Sequence, residues 1–289
     1  MFAGDAYSAL IRSRVRLQLW KASISSCTHN GYKVTDTSMG SWFFKTGTLI
    51  SVQAFLLSVS VLAGQEVQLR TSRNIVATFS VVACDSENRQ WGVATQSKVL
   101  AVGSIVPFAR TEVGAIATQA WANTSFGPRG LKLLAQGKSA RDVLDLLLES
   151  DPDRAHRQVA IVDREGRVAE FTGEKCLDWA GAKSGQHFCC LGNILVGEEV
   201  ASTMARAFEE TEGILADRML AAMKAGQAAG GDRRGRQSSA LLIVQDKGGY
   251  SGFDDRYVDL RVDDHPRPIE ELGRLLNLRL KRSEPANGR

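Results

Sequence analysis

The sequence predicts an α+β layered domain, and three observations predict it. Strand-like runs come in groups separated by pairs of amphipathic helices, which fits segregated layers better than a regular βαβ alternation. No Pro- or Ser-rich linker interrupts residues 78–282, so this stretch reads as one domain. The composition, 44% hydrophobic and 24% charged with only 6 Pro, is that of a globular chain and excludes collagen, coiled coil and extended disorder. A domain of this size buries about 70–75% of its unfolded surface, enough for a substantial core.

The elements follow in order. Residues 78–84, TFSVVAC, read as a first strand that turns at Asp85 to Arg89. Residues 91–97 and 113–119 are two further strands; GVATQS and GAIATQA echo each other, too briefly for a repeat architecture. Residues 102–107 read as an irregular crossing, because Pro107 cannot donate to a ladder. A helix over 128–136 opens with Pro128 in its first turn and stops at Gly137. A second, over 139–150, opens with the capping-box pattern Ser139-Ala-Arg-Asp142 and puts Val143, Leu146 and Leu147 on one face. Residues 157–163 and 168–172 form a hairpin across Glu165-Gly166. Residues 187–193 are a strand on which alternation sends Cys189 and Cys190 to opposite faces. Val200, Met204 and Phe208, then Leu215, Met219 and Met223, mark two amphipathic helices. Strands over 237–245 and 257–262 and a helix over 269–280 close the chain.

The charge is unevenly placed. Of the formal +4, the first 38 residues supply +3 and Lys45 one more, leaving 30 basic and 30 acidic residues over 65–289. A basic nucleic-acid footprint on the body is therefore excluded. Residues 48–63 are the longest apolar run, shorter than the roughly 20 residues of a membrane span. With Lys45 ahead and Val61-Leu62-Ala63 behind, 39–63 reads as a signal peptide opened by Met39. Residues 1–38 then read as an over-called start, 64–77 as a linker and 283–289 as a tail. The expected location is secreted or periplasmic; the competing reading makes Arg- and Ser-rich 1–27 an organelle transit peptide. Five cysteines occur, Cys27, Cys84, Cys176, Cys189 and Cys190, and no pair has zinc-ribbon spacing. They read as small buried hydrophobes, with one disulfide left unassigned.

Searches for familiar chemistry are mostly empty: no GxxxxGK[ST], no HExxH, no GxSxG, and four His in all (His29, His156, His187, His265). Three segments stand out. Thr78 opens the first strand, where a Thr also suits β-propensity alone. In 230–240, Gly231 and Gly235 allow close backbone approach while Arg233, Arg234 and Arg236 offer forked donors for a carboxylate or phosphate; a solvated loop pairing with local acids fits equally. In 259–266, Asp263, Asp264 and His265 could hold a cation or orient a donor, or Asp264 could cap the helix that Pro266, Pro268, Glu270 and Glu271 introduce. Lys98 and Asn193 sit at strand ends, where exposure and turn chemistry also explain them.

Taken together, the blocks TFSVVACD (78–85), WGVATQSKVLAVGSIVPFAR (91–110), VGAIATQAWANTSFGPRGLKLLAQG (113–137), RQVAIVD (157–163), LGNIL (191–195), AGQAAGGDRRGRQSSALLIV (225–244) and DLRVDDHP (259–266) resemble the bacterial and archaeal family called domain of unknown function ten-twenty-eight, placed among the N-terminal-nucleophile (Ntn) hydrolases. The resemblance implies a four-layer αββα sandwich and, if the superfamily chemistry holds, a Thr78 nucleophile whose own freed α-amino group is the base. By analogy Lys98 would lower the nucleophile's pKa and Asn193 would hold the oxyanion. Gln119, Asp232, Arg233, Arg236, Gln237, Asp263, Asp264 and His265 are the candidate substrate contacts within the matched blocks. The expected activity is hydrolysis of a small amide without cofactor or metal, with a small-molecule substrate as partner, no nucleic acid, no stable membrane span, and homo-oligomerisation left open. The alternatives are a non-catalytic ligand-binding protein on the same fold and a metal-dependent hydrolase using Asp263, Asp264 and His265. One departure matters: many relatives begin Met-Thr-Phe-Ser, whereas here Thr78 follows Ala77, so a second cleavage beyond Ala63 is required to free it.

Overall fold

The computed structural model describes residues 78–281. The leader, the expected signal peptide 39–63, the linker 64–77, the tail, Cys27 and His29 lie outside the described residues. Ten strands run β1 (Thr78–Asp85), β2 (Gln90–Ser97), β3 (Pro107–Arg110), β4 (Gly114–Ala120), β5 (Arg157–Asp163), β6 (Val168–Thr172), β7 (Gly181–Gly185), β8 (Phe188–Asn193), β9 (Ser238–Val244) and β10 (Arg256–Val262). Five α-helices are α1 (Phe126–Ala135), α2 (Ala140–Glu149), α3 (Glu199–Glu210), α4 (Leu215–Ala228) and α5 (Pro268–Arg279). The fold is mixed α+β with two antiparallel sheets, in the orders β10-β9-β2-β1-β8-β7 and β3-β4-β5-β6. β1 is therefore interior, paired with both β2 and β8.

Strand alternation sorts the side chains. Val82 and Cys84 of β1, Trp91 and Val93 of β2, and Cys189 and Leu191 of β8 pack against Ala115 and Ala117 of β4 and Ala160 and Val162 of β5, so the two sheets share one apolar layer. Phe79 and Val81 point the other way, onto Met204 and Phe208 of α3, Met219 and Met223 of α4, and Leu272 of α5. Ile116, Val159 and Ile161 on the far side of the smaller sheet pack against Phe126 of α1 and Val143, Leu144 and Leu147 of α2. Cys189 and Cys190 do fall in different layers, and none of the four described cysteines is in a disulfide. Burial pushes the thiols of Cys84 and Cys189 up to about 12 and that of Cys190 up as well.

Local chemistry explains the boundaries. Ser139 accepts from the Asp142 amide and Asp142 reaches back, completing the capping box that opens α2. α1 begins two residues before Pro128, which still sits in the first turn where its missing N–H costs nothing. Three expectations need correcting. The 102–107 crossing is a 3₁₀ turn over Val102–Ser104, after which Pro107 opens the short edge strand β3; an edge strand's first residue can lack a donor. β7, GAKSG, is an additional edge strand whose small, half-exposed residues leave no apolar alternation to detect. Arg267, not Asp264, is the N-cap of α5, with Pro268 next and Glu270 and Glu271 in the first turn.

Two substitutions probe this packing with opposite signs. A Cβ on Gly127 of α1 would meet the Phe108 ring at 2.2–2.4 Å, so the glycine lets the helix lie close on β3. Gly127→Ala is expected to destabilise by about 1–3 kcal/mol, although propensity alone favours Ala by about 1 kcal/mol. Gln96, fully buried on the helix-facing side of β2 beside Phe79 and Ser239, has neither amide atom hydrogen-bonded. Gln96→Met removes an unmet polar burial and should stabilise by about 1–2 kcal/mol. Urea titration of both variants reads the two signs.

Candidate functional site

The shared layer between the sheets is apolar along most of its length and polar at one end. The residues that alternation directs inward there are Thr78 and Ser80 (β1), Thr95 and Ser97 (β2), Gln119 (β4), Gln158 (β5) and Asn193 (β8), all 0–1% exposed. Register brings them together: Thr78 lies opposite Ser97 on one side and Asn193 on the other, and Gln119 lies opposite Gln158.

Hydrogen bonds tie the two sheets. Gln119 Nε2 donates to the Thr78 carbonyl (3.3 Å) and to Gln158 Oε1 (2.9 Å), while its own Oε1 accepts from Ser80 Oγ at 2.6 Å. Ser80 also shares a 2.9 Å bond with Thr95 Oγ1. Gln158 Oε1 accepts a second bond from Asn193 Nδ2 (3.1 Å), and its Nε2 donates to the Gly192 carbonyl (2.8 Å) and to Thr172 Oγ1 (3.0 Å). Both glutamines thus use both ends of their amides, as burial requires. The Thr78 hydroxyl is 3.2 Å from Ser97 Oγ, and an Arg234 guanidinium nitrogen stands 3.5 Å from that same Ser97 oxygen.

The 230–237 loop is aimed by Asp232. Its side chain is fully buried and accepts from the Lys98 amide (3.0 Å), the Arg234 amide (2.9 Å) and the Arg234 guanidinium at both Nε (3.2 Å) and Nη2 (2.9 Å). Gly231 and Gly235, at φ +59° and +107°, allow the chain to fold this tightly. Of the three arginines, Arg234 therefore faces Ser97. Arg233 donates to the Asp178 carbonyl at 3.1 Å, and Arg236 pairs with Glu270 on the surface.

The other sequence candidates separate. Lys98 lies beyond β2, exposed, with Nζ 3.4 Å from the Arg236 carbonyl. Asn193 is beside Thr78, its amide nitrogen engaged by Gln158. Gln119 is a buried tie between sheets. Gln237 extends β9 through its amide to the Ser97 carbonyl (3.0 Å), and its side chain donates to the exposed carboxylate of Asp264 at 3.2 Å. Asp263 is exposed, and its carbonyl accepts from the Ala101 amide. His265 Nδ1 accepts from the Arg267 amide (3.0 Å). Asp263, Asp264 and His265 thus serve the turn into α5. Among the described residues no group of three or more His, Cys, Asp or Glu could hold a metal ion.

Sequence reasoning missed Ser80, Thr95, Ser97 and Gln158, and of the three loop arginines it carried Arg233 and Arg236, not Arg234, forward as substrate contacts. It also missed a buried ion pair at the edge of the site. Arg157 Nε meets Asp151 Oδ2 at 2.9 Å, and its Nη1 donates to the Trp121 carbonyl (2.8 Å). Asn123 donates to the same carboxylate at 2.8 Å. A polar residue at an inward strand position was the available signal for Gln158; the ion pair left none.

The fold and site define a mixed α+β protein with two facing antiparallel sheets and one polar, hydrogen-bonded pole at the head of β1. Residues 78–272 match the family of unknown function DUF1028, and the chain belongs to it. It is similar to protein SPO2555 from Silicibacter pomeroyi, whose crystal structure is assigned to the same family, with 31% identity, a TM-score of 0.64, and coverage of 70% of this chain and 85% of that chain. No curated protein matches the chain.

The ion pair makes a pH prediction. Burial pushes the Asp151 carboxyl up, but the hydrogen bonds from Arg157, Asn123 and the Asp153 amide, with the Arg157 charge, together outweigh it and hold the group at about 2 instead of 3.8. The folded value lies below the unfolded one, so the stabilisation is present above about pH 4 and is lost as pH falls through about 2, some 2 kcal/mol in all. Thermal melts between pH 5 and pH 2 should show this loss in the parent, and a correspondingly shallower slope in Asp151→Asn.

Proposed function

We propose that this chain is an Ntn-type amidohydrolase that cleaves a small amide, with Thr78 as nucleophile once the Ala77–Thr78 bond is cut. One observation carries the reading: the hydroxyl of Thr78 heads an interior strand and points into the polar end of the intersheet layer, where Ser97, Gln119, Gln158 and Asn193 gather. The order of helices, sheet, sheet and helices in the packing supports placing the family among the Ntn hydrolases and describing it as a four-layer αββα sandwich. The signal-peptide reading of 39–63 supports a secreted or periplasmic site of action.

The chemistry needs little else. Thr78 Oγ adds to the amide carbon as its proton passes to the freed α-amino nitrogen. The tetrahedral adduct collapses, the C–N bond breaks, and the departing amine takes that proton. Water, deprotonated by the Thr78 α-amino group, then adds to the ester; the acyl group leaves as a carboxylic acid and the proton returns from the α-amino group to Oγ. Arg234, braced by Asp232 over Ser97, is placed to attract an anionic oxygen developing near Thr78. An oxyanion role for Asn193 requires exchanging its bond to Gln158, and Lys98, outside the layer, has no part in this scheme.

Intact-mass analysis of protein from its native compartment should find a chain beginning at Thr78. Turnover of amides should rise with pH to a plateau above about 8, following an α-amino base of pKa about 7.7–8.0. Thr78→Ala should lose turnover by about 100-fold or more, and Thr78→Ser should keep part of it. Full activity with Ala77 still attached defeats the proposal, and unchanged ligand binding with no turnover in any form leaves the binding-protein reading.

A further inference from the structure

A cleft of about 130 Å³ opens at the polar end of the intersheet layer, walled in part by Ala120, Trp121, His156, Cys176 and Ile194; Thr78 itself is buried behind Asn193 and is not among its walls. Its place follows from the strands. Asn193, the partner of Thr78 in the β1–β8 register, also lines it, and Ile194 comes next in the chain. Ala120 follows Gln119, whose amide holds the Thr78 carbonyl. The residues that secure Thr78 from two directions are thus each followed by a wall of the cleft.

The walls are set by more than packing. Ala120 and Ile194 both hold positive φ, +66° and +53°, a conformation that costs a β-branched residue heavily and persists where surroundings impose it. Ile194 is held there by its amide to the Leu177 carbonyl (3.0 Å) and its carbonyl to the Arg233 amide (3.0 Å). The Trp121 indole stacks on the His156 ring at 4.8 Å between centroids and 21° between planes. Its backbone is clamped by Arg157, which Asp151 in turn holds. The Cys176 thiol is 3.4 Å from the Arg157 carbonyl, and burial pushes its pKa up, so it serves as a neutral wall atom.

The lining decides the ligand chemistry. Its one formally charged side chain is Lys175, and it contains no carboxylate, so an ammonium group finds no partner. The remaining surface is mostly aromatic and aliphatic, with the Asn193 amide and the Cys176 thiol as its neutral polar groups. A dry apolar cavity of about 150 Å³ accommodates benzene, so this cleft takes a group of about five or six non-hydrogen atoms.

We infer that this cleft is the specificity pocket for the hydrocarbon part of the substrate: a compact, uncharged, branched or flat group attached to the amide that Thr78 attacks. The inference rests on the proposed role of Thr78, and its test is built to fail separately from that role. The full chain carrying Thr78→Ala is titrated calorimetrically with acetamide, isovaleramide, benzamide and butylammonium. Isovaleramide and benzamide are expected to bind about tenfold or more tighter than acetamide, from the extra apolar area buried, and butylammonium is expected to show no such gain. Adding Cys176→Phe should fill the cleft and erase the preference for isovaleramide and benzamide over acetamide; Cys176→Leu should reduce it, and is the variant to rely on if the Phe form does not fold. Equal affinity for all three amides, or a preference untouched by either Cys176 variant, overturns the inference. Preference in binding with no hydrolysis of any amide by the unsubstituted protein would sustain the pocket and remove the hydrolase reading; hydrolysis without preference would do the reverse.

Discussion

Two buried glutamines tie the two sheets together at the polar end of the layer they share. An amide side chain enclosed between two sheets must match its donors and acceptors, because an unmet group there costs about 1–3 kcal/mol. Gln119 and Gln158 meet that demand by bonding across the layer, one to the Thr78 carbonyl and a serine, the other to Asn193 and the backbone of β8. An apolar pair would pack the sheets as well but would leave the head of β1 without lateral restraint. Since Gln119 belongs to the smaller sheet and Thr78 to the larger, the position of the Thr78 backbone is fixed by both.

The same logic runs outward from that pair. Asp232 is an acid buried to completion, so it must be paired, and its partners are the Lys98 and Arg234 amides and the Arg234 guanidinium. Those bonds bend the glycine-rich loop back over Ser97 and leave Arg233 and Arg236 to the surface. On the other flank the Asp151–Arg157 pair fixes the segment after β4, where Trp121 turns out of the sheet. Three polar assemblies, each demanded by burial, thereby frame one hydroxyl.

Much of this was legible in the sequence because it follows from alternation and capping. The two cysteines of β8 part to opposite layers, the Ser139–Asp142 box opens its helix, and the Met204 and Met219 faces of two helices are buried, all from spacing alone. β7 was invisible because an edge strand of Gly, Ala, Lys and Ser has no apolar face to alternate. In the site, Thr78 and Asn193 could be singled out as strand ends, but their adjacency is a matter of register between strands more than a hundred residues apart. The three loop arginines are equivalent by composition; the choice of Arg234 comes from backbone torsions at Gly231 and Gly235 and from the buried partner. Gln158 resembled any polar residue opening a strand until its inward parity met that of Gln119.

A polar pole at one end of an apolar layer can serve structure or chemistry, and the backbone around this one has a feature of its own. Here β4, which carries Gln119, ends in a residue at positive φ, and β8, which carries Asn193, is followed by one, the β-branched Ile194. The strained residues do not close over the polar cluster. They turn the chain aside and leave an apolar cleft between Trp121 and Cys176. Left-handed residues also occur at other turns, such as Arg89 and Lys247, so position and not torsion alone sets these two apart: they flank a void that close packing would otherwise fill.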